Sequence, residues 1–208
     1  MDISVKWSHY YAGAGALITW AAVLIQFIVM LNNRTDTVGT VTIHFLSYFT
    51  ILSNILVALS FTLWFYRPAY PTGSLFGPGY FTAICVYIIV VGLIYNLVLR
   101  KISTAEGPNR LPNELLHVLV PLMYLVFWLL VIPKGSVTLQ QSWSWLIFPA
   151  CYFLYTILHG KATGFYPYPF TNITALGLAT VLRNCALIAI LFWFLSALLV
   201  ALKSKVGS

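Results

Sequence analysis

The sequence predicts an all-α integral membrane bundle of six transmembrane helices, with both termini on the same side. Three observations predict it. Of 208 residues, 61% are hydrophobic and only 7% are charged, whereas a soluble domain carries about 25% charged residues. Six apolar runs are long enough to cross a hydrocarbon core of about 30 Å at 1.5 Å per residue. The loops between those runs are too short to hold a soluble catalytic domain, so the whole chain, 1–208, reads as one transmembrane domain.

In order, the spans fall near 10–31, 41–66, 80–99, 113–132, 143–159 and 175–202. The first is longer than the apolar core of a signal peptide and reads as a span. The fifth is the shortest and the last the longest. Pro121 and Pro149 lie inside spans four and five. Each removes an N–H and frees the carbonyl four residues earlier, that of His117 and that of Trp145, so both helices are expected to kink.

The net charge of +7 is carried mostly at helix ends, where Lys and Arg meet lipid headgroups. With no basic patch, nucleic acid is not an expected partner. Orientation stays open. Lys6, Arg67, Lys134, Lys203 and Lys205 fall on the side of the termini, and Arg34, Arg100, Lys101, Arg110 and Lys161 on the other. Cys85, Cys151 and Cys185 all fall inside spans and read as small buried apolar residues rather than a disulfide or metal framework.

Function in such a chain is sought among polar groups that hydrocarbon should exclude. They gather in the half of the bilayer away from the termini. Span two carries His44, Ser47, Thr50 and Asn54, and the last three lie within roughly 60° of one another at 100° per residue. Span four begins with Asn113 and carries Glu114, His117, Pro121, Tyr124 and Trp128 on a 3-4-3-4 stripe. Span five ends with Tyr152, Tyr155, Thr156 and His159, span three with Tyr95 and Asn96, and span six begins with Arg183 and Asn184. Thr50 should lie about 13 Å below the interface and His117 about 7 Å, close enough to meet if their stripes face each other. Arg183 needs a partner inside a span. Glu114, an anionic ligand, or snorkelling to the interface each supplies one.

A hydroxyl, a base in reach and donors for an oxyanion are what nucleophilic hydrolysis requires. Thr50 and His117 fit the first two roles. Asn54, Asn184, Arg183 or a tyrosine are candidates for oxyanion or carboxylate binding, and Ser47, Tyr124, Tyr155 and His159 for the pocket wall. The competing reading of Thr50 is a helix threonine bonded to the carbonyl of Leu46.

The segment Ser47-Tyr48-Phe49-Thr50-Ile51-Leu52-Ser53-Asn54 resembles the threonine motif of the androgen-induced-gene / androgen-dependent TFPI-regulating protein family of multispan threonine hydrolases. Asn113-Glu114-Leu115-Leu116-His117, followed by Pro121, resembles that family's Asn-x-x-x-His segment. Gly164-Phe165-Tyr166-Pro167-Tyr168-Pro169 resembles its Gly–Tyr–Pro loop. The resemblance covers essentially the whole chain. It implies a cofactor-free hydrolase of fatty acid esters of hydroxy fatty acids, with Thr50 as nucleophile and His117 as base. For a distant bacterial member it also implies the plasma membrane.

Two other mechanisms remain open. A zinc-dependent membrane lipid hydrolase would use His44, His117 and His159 as ligands, which must converge at about 2.0–2.1 Å from the metal. A non-enzymatic lipid-binding or transport protein would use the same pocket without chemistry. The expected partners are a lipid substrate and the bilayer, and the oligomeric state is open.

Overall fold

The computed structural model describes residues 3–68, 76–102 and 107–204. Among these residues every regular element is helical. Helix α1 spans Ile3–Asn32, α2 Val38–Leu46, α3 Phe49–Tyr66 and α4 Pro78–Ile94. Helix α5 covers Val120–Val131, α6 Ile147–Thr163 and α7 Leu178–Lys203. Among the described residues five helical segments are long and apolar enough to cross a membrane: 7–32, 49–66, 78–102, 107–131 and 178–203. The chain is therefore an all-α, multi-pass membrane bundle. Helix α6, with 17 residues and about 25 Å long, is one residue shorter than the shortest of those five segments, and a four-residue helix, Ser142–Trp145, precedes it.

Helix α4 is the centre of the bundle. Over its most apolar stretch 61% of residues are buried, against 22% for α7, and it packs on α3, α5 and α7. Helix α1 lies along α3, where Gly13 and Gly15 bring its backbone against the rings of Phe65 and Phe61. The first and last helices bring Ser8 and Lys203 to one end of the bundle. Near the amino terminus Trp64 Nε1 donates to Ser8 Oγ, and near the carboxyl terminus Lys203 Nζ donates to the Leu129 carbonyl. Trp64 and Phe127 both pack on Phe81, which joins the two contacts. Lys205, counted above for orientation, lies outside the described residues.

Three departures from the expected spans bear on function. The second span is broken: α2 stops at Leu46, Tyr48 is extended (φ −81°, ψ 125°), and α3 starts at Phe49. The third and fourth spans each contain a π-helical turn, at Tyr95–Leu99 and at Leu115–Leu119. The fifth runs four residues later than expected, beginning at Ile147.

The prolines act as their chemistry requires. No N–H at position 121 serves the Leu116 and His117 carbonyls. Asn54 Nδ2 donates to the first at 3.3 Å and Asn96 Nδ2 to the second at 3.2 Å. Pro149 leaves the Trp145 carbonyl to the Tyr87 hydroxyl, at 2.7 Å. Of the three cysteines only Cys85 is buried. Cys151 is exposed and Cys185 half-buried; Cys85 lies on the central helix α4, whereas α7, which carries Cys185, is mostly exposed along its apolar stretch.

Candidate functional site

The break between α2 and α3 places Thr50 in the first turn of α3, where backbone N–H groups have no helical acceptor. Two phenols supply what the break leaves open. Tyr152, from α6, donates to the Ser47 carbonyl at 2.9 Å and accepts from the Phe49 amide at 3.2 Å. Tyr168, from the loop after α6, accepts from the Thr50 amide at 3.1 Å. That loop leaves α6 through Gly164 at φ 77°, a left-handed C-cap suited to glycine.

Thr50 Oγ1 lies 3.3 Å from His117 Nε2 and 3.2 Å from the Tyr168 hydroxyl. The expected pairing of Thr50 with His117 is thus met. The competing bond to the Leu46 carbonyl is not among the contacts of Thr50, because residue 46 belongs to the preceding helix. His117 sits in the π turn Leu115–Leu119, a local geometry frequent at functional positions. Its Nδ1 is 2.9 Å from the Asn113 carbonyl. A carbonyl only accepts, so Nδ1 carries the proton and Nε2 presents a lone pair to Thr50. Tyr95 stacks on the imidazole with ring centres 4.0 Å apart. Asn113 Nδ2 donates to the Tyr95 hydroxyl, and the Arg100 guanidinium lies over the Tyr95 ring. The imidazole is held in both tautomer and plane.

The hydrogen bonds form a consistent relay. Thr50 donates to His117 Nε2, and Tyr168, which already accepts from the Thr50 amide, donates to Thr50 Oγ1. Burial pushes the Tyr168 phenol up to about 12, against the lowering effect of its bonds to Thr50, so it remains a neutral donor. The dipole of the α3 N-terminus favours negative charge at this position. The contact of 3.3 Å is at the long end for hydrogen bonding, as is common for catalytic pairs without substrate.

Two cavities meet at Thr50. One, of about 510 Å³, includes His117, Tyr95, Asn109 and Asn113 in its wall. The other is a narrow cleft of about 40 Å³ whose wall includes Val91, Pro149, Phe153, Ile188 and Phe192. Thr50, Leu99 and Tyr168 border both.

The remaining sequence candidates divide. Asn54 lies against the pair, but its amide nitrogen is committed to the Thr50 carbonyl at 2.8 Å and to that of Leu116. It positions the pair rather than offering a free oxyanion donor. Ser47 bonds the Ile43 carbonyl and the Tyr155 hydroxyl and supports the break. Tyr124 is fully buried among Phe61 and Phe127 and lines neither cavity, so it belongs to the core. Asn184 Nδ2 donates to the Phe170 carbonyl at 3.0 Å and secures the Tyr168 loop from α7. Glu114 pairs with Arg100 at 2.7 Å. Arg183 is exposed and has no ion pair among the described residues, which fits snorkelling to the interface.

The three histidines of the metal reading do not converge. His44 stacks on Phe165 at 3.7 Å, and His159 stacks on Tyr155 at 5.3 Å and meets Phe165 edge-on, while His117 is with Thr50. Among the described residues no three His, Cys, Asp or Glu side chains are grouped to hold a metal ion. Tyr168, Tyr152 and Tyr95 are site residues that the sequence reading does not single out by number for a catalytic or binding role. The only signal for Tyr168 was its place in the Gly164–Pro169 segment.

Fold and site together define an integral, multi-pass, all-α membrane protein with a threonine–histidine–tyrosine centre in its helical interior. Comparison with protein-family models, with curated protein sequences and with solved structures finds no match.

Proposed function

We propose that this chain is an intramembrane hydrolase of lipid esters, of the fatty acid ester of hydroxy fatty acid type, with Thr50 as nucleophile and His117 as general base. The observation that carries the reading is the contact of Thr50 Oγ1 with His117 Nε2, with the opposite ring nitrogen fixed by the Asn113 carbonyl. The resemblance of the threonine, histidine and Gly–Tyr–Pro segments to the androgen-induced-gene family supports it.

In the first step His117 Nε2 takes the Thr50 proton while Oγ1 bonds to the ester carbonyl carbon. The π pair of the carbonyl moves onto its oxygen, and the negative charge there is eased by the Tyr168 hydroxyl beside Oγ1 and by the α3 N-terminus. The bond to the alkoxy oxygen then breaks, and that oxygen takes the proton from Nε2 and leaves as an alcohol. Water attacks the resulting acyl-threonine, giving its proton to Nε2. The bond to Oγ1 breaks, Thr50 recovers the proton, and a carboxylic acid leaves.

The test is hydrolysis of a fatty ester of a hydroxy fatty acid by purified protein in detergent. Wild type is compared with Thr50→Ala and His117→Ala, each checked for folding. Turnover that both substitutions abolish supports the mechanism. Turnover that survives Thr50→Ala ends it. If folded wild type binds the ester without turning it over, the protein is a lipid binder instead.

A further inference from the structure

The position of His117 relative to the two cavities fixes which half of an ester goes where. We infer that the narrow apolar cleft is the acyl subsite, and that it takes an unbranched acyl chain while the alcohol half occupies the larger cavity. This inference rests on the proposed hydrolase reading and deepens it.

The proton decides the direction. An ester carbonyl held against Thr50 Oγ1 has two continuations, the acyl chain and the alkoxy group. The alkoxy oxygen must reach His117 Nε2 to be protonated as it leaves. His117 borders the 510 Å³ cavity and does not border the cleft. The leaving alcohol therefore extends into the larger cavity, and the acyl chain turns the other way at Thr50. Water for the second step also needs His117, so it enters by the route the alcohol vacates while the acyl chain stays in place.

The walls agree with this division. Asn109, Asn113 and Tyr95 give the larger cavity polar groups suited to a hydroxylated or charged alcohol half. Among the described residues the cleft has no charged side chain in its wall. It is closed by Val91 and Phe192, both nearly inaccessible, and by the half-buried Ile188 and Phe153. The polar side chains it meets there are Thr50, Tyr152 and Tyr168, at the end where the carbonyl would sit. At about 40 Å³ against about 510 Å³ the cleft is the more confined of the two cavities, so length and branching are sensed on the acyl side.

Two ester series test this with the full-length protein in detergent. In the first, p-nitrophenyl acetate, butyrate, octanoate and palmitate vary the acyl chain; in the second, acetate esters of ethanol, butanol, octanol and hexadecanol vary the alcohol. Val91→Phe and Ile188→Phe fill the cleft, and the half-buried Ile188 gives a variant that tolerates the larger ring if Val91→Phe does not fold. The readout is the ratio of kcat/KM for palmitate to that for acetate. It should fall by about tenfold or more in either folded variant, since each methylene denied burial removes a several-fold factor. A branched acyl ester of equal carbon count should be turned over more slowly than the straight one. An unchanged palmitate-to-acetate ratio in the variants overturns the subsite, as does a ratio that changes only in the alcohol series. Failure of the hydrolase reading looks different: wild type then turns over no ester in either series, or Thr50→Ala retains the turnover.

Discussion

The hydroxyl of Tyr168 lies 3.1 Å from the amide nitrogen of Thr50 and 3.2 Å from its Oγ1. One phenol therefore satisfies the backbone of the first turn of α3 and touches the side chain that the same turn presents. Its ring stacks on Phe170, and the Phe170 carbonyl is held by Asn184, so the phenol is anchored to α7. The loop that carries it acts as a fixed wall of the site.

Tyr168→Phe keeps the ring and removes both contacts. The Thr50 amide loses its acceptor, a loss worth about 1–3 kcal/mol for a buried donor, and a thermal melt in detergent should record it. Ester turnover should fall by about tenfold or more, because a donor beside Oγ1 for the charge forming on the ester carbonyl oxygen is gone. Unchanged turnover in the folded variant would exclude Tyr168 from the chemistry and leave it a purely structural clamp.

Tyr152→Phe strikes the break itself. It strips the Ser47 carbonyl of its donor and the Phe49 amide of its acceptor, both within the membrane interior where no water replaces them. A loss of about 1–3 kcal/mol is expected. Tyr155→Phe should be milder, because Ser47 Oγ keeps its bond to the Ile43 carbonyl. Denaturation in mixed micelles ranks the two, and the reverse order would mean that the Tyr155 contact supports the break more than Tyr152 does.

The bundle and the Thr50–His117 pair were legible in the sequence for a common reason. Hydrocarbon forces apolar runs to declare themselves, and the few polar groups left within them had to face one another. The break at Ser47-Tyr48 was not legible. No proline or glycine marks it, and the groups that satisfy it are phenols 105 and 118 residues away in the chain. Tyr124 was misassigned because a stripe drawn at 3.6 residues per turn runs from His117 through it. The π turn at Leu115–Leu119 uses more residues per turn and shifts the phase, so Tyr124 faces Phe61 in the core. Asn54 was placed correctly but given the wrong task, since its donors are spent on the Thr50 carbonyl four residues back and on the Leu116 carbonyl beside the Pro121 break.

Asn54→Ala should therefore disturb both members of the pair. Asn54 is fully buried and joins the Thr50 carbonyl to that of Leu116, the residue before His117. Removing it is expected to lower stability by about 1–3 kcal/mol and to reduce turnover by loosening the approach of Oγ1 to Nε2. Asn96 makes the parallel bond to the His117 carbonyl from an exposed position, where water or headgroups replace it, so Asn96→Ala should cost under about 1 kcal/mol. Equal losses in the two variants would refute the bridging role given to Asn54.

The Tyr168 loop takes its seat at Gly160. A Cβ there would overlap the ring of Tyr166, because the loop folds back against α6 at a residue with no side chain. Gly160→Ala leaves α6 free to form, since alanine is the better helix former by about 1 kcal/mol, yet it must push Tyr166 outward. Tyr166 is two residues from Tyr168, so the displacement passes to the phenol at Thr50. A folded variant with native helix content by circular dichroism and reduced ester turnover is the expected result. Gly164→Ala is the control: at φ 77° with open space around the position, it strains the helix end without touching Tyr166. Loss of turnover in Gly160→Ala that exceeds the loss in Gly164→Ala would assign the effect to the ring contact, and equal losses would assign it to the general stability of the loop.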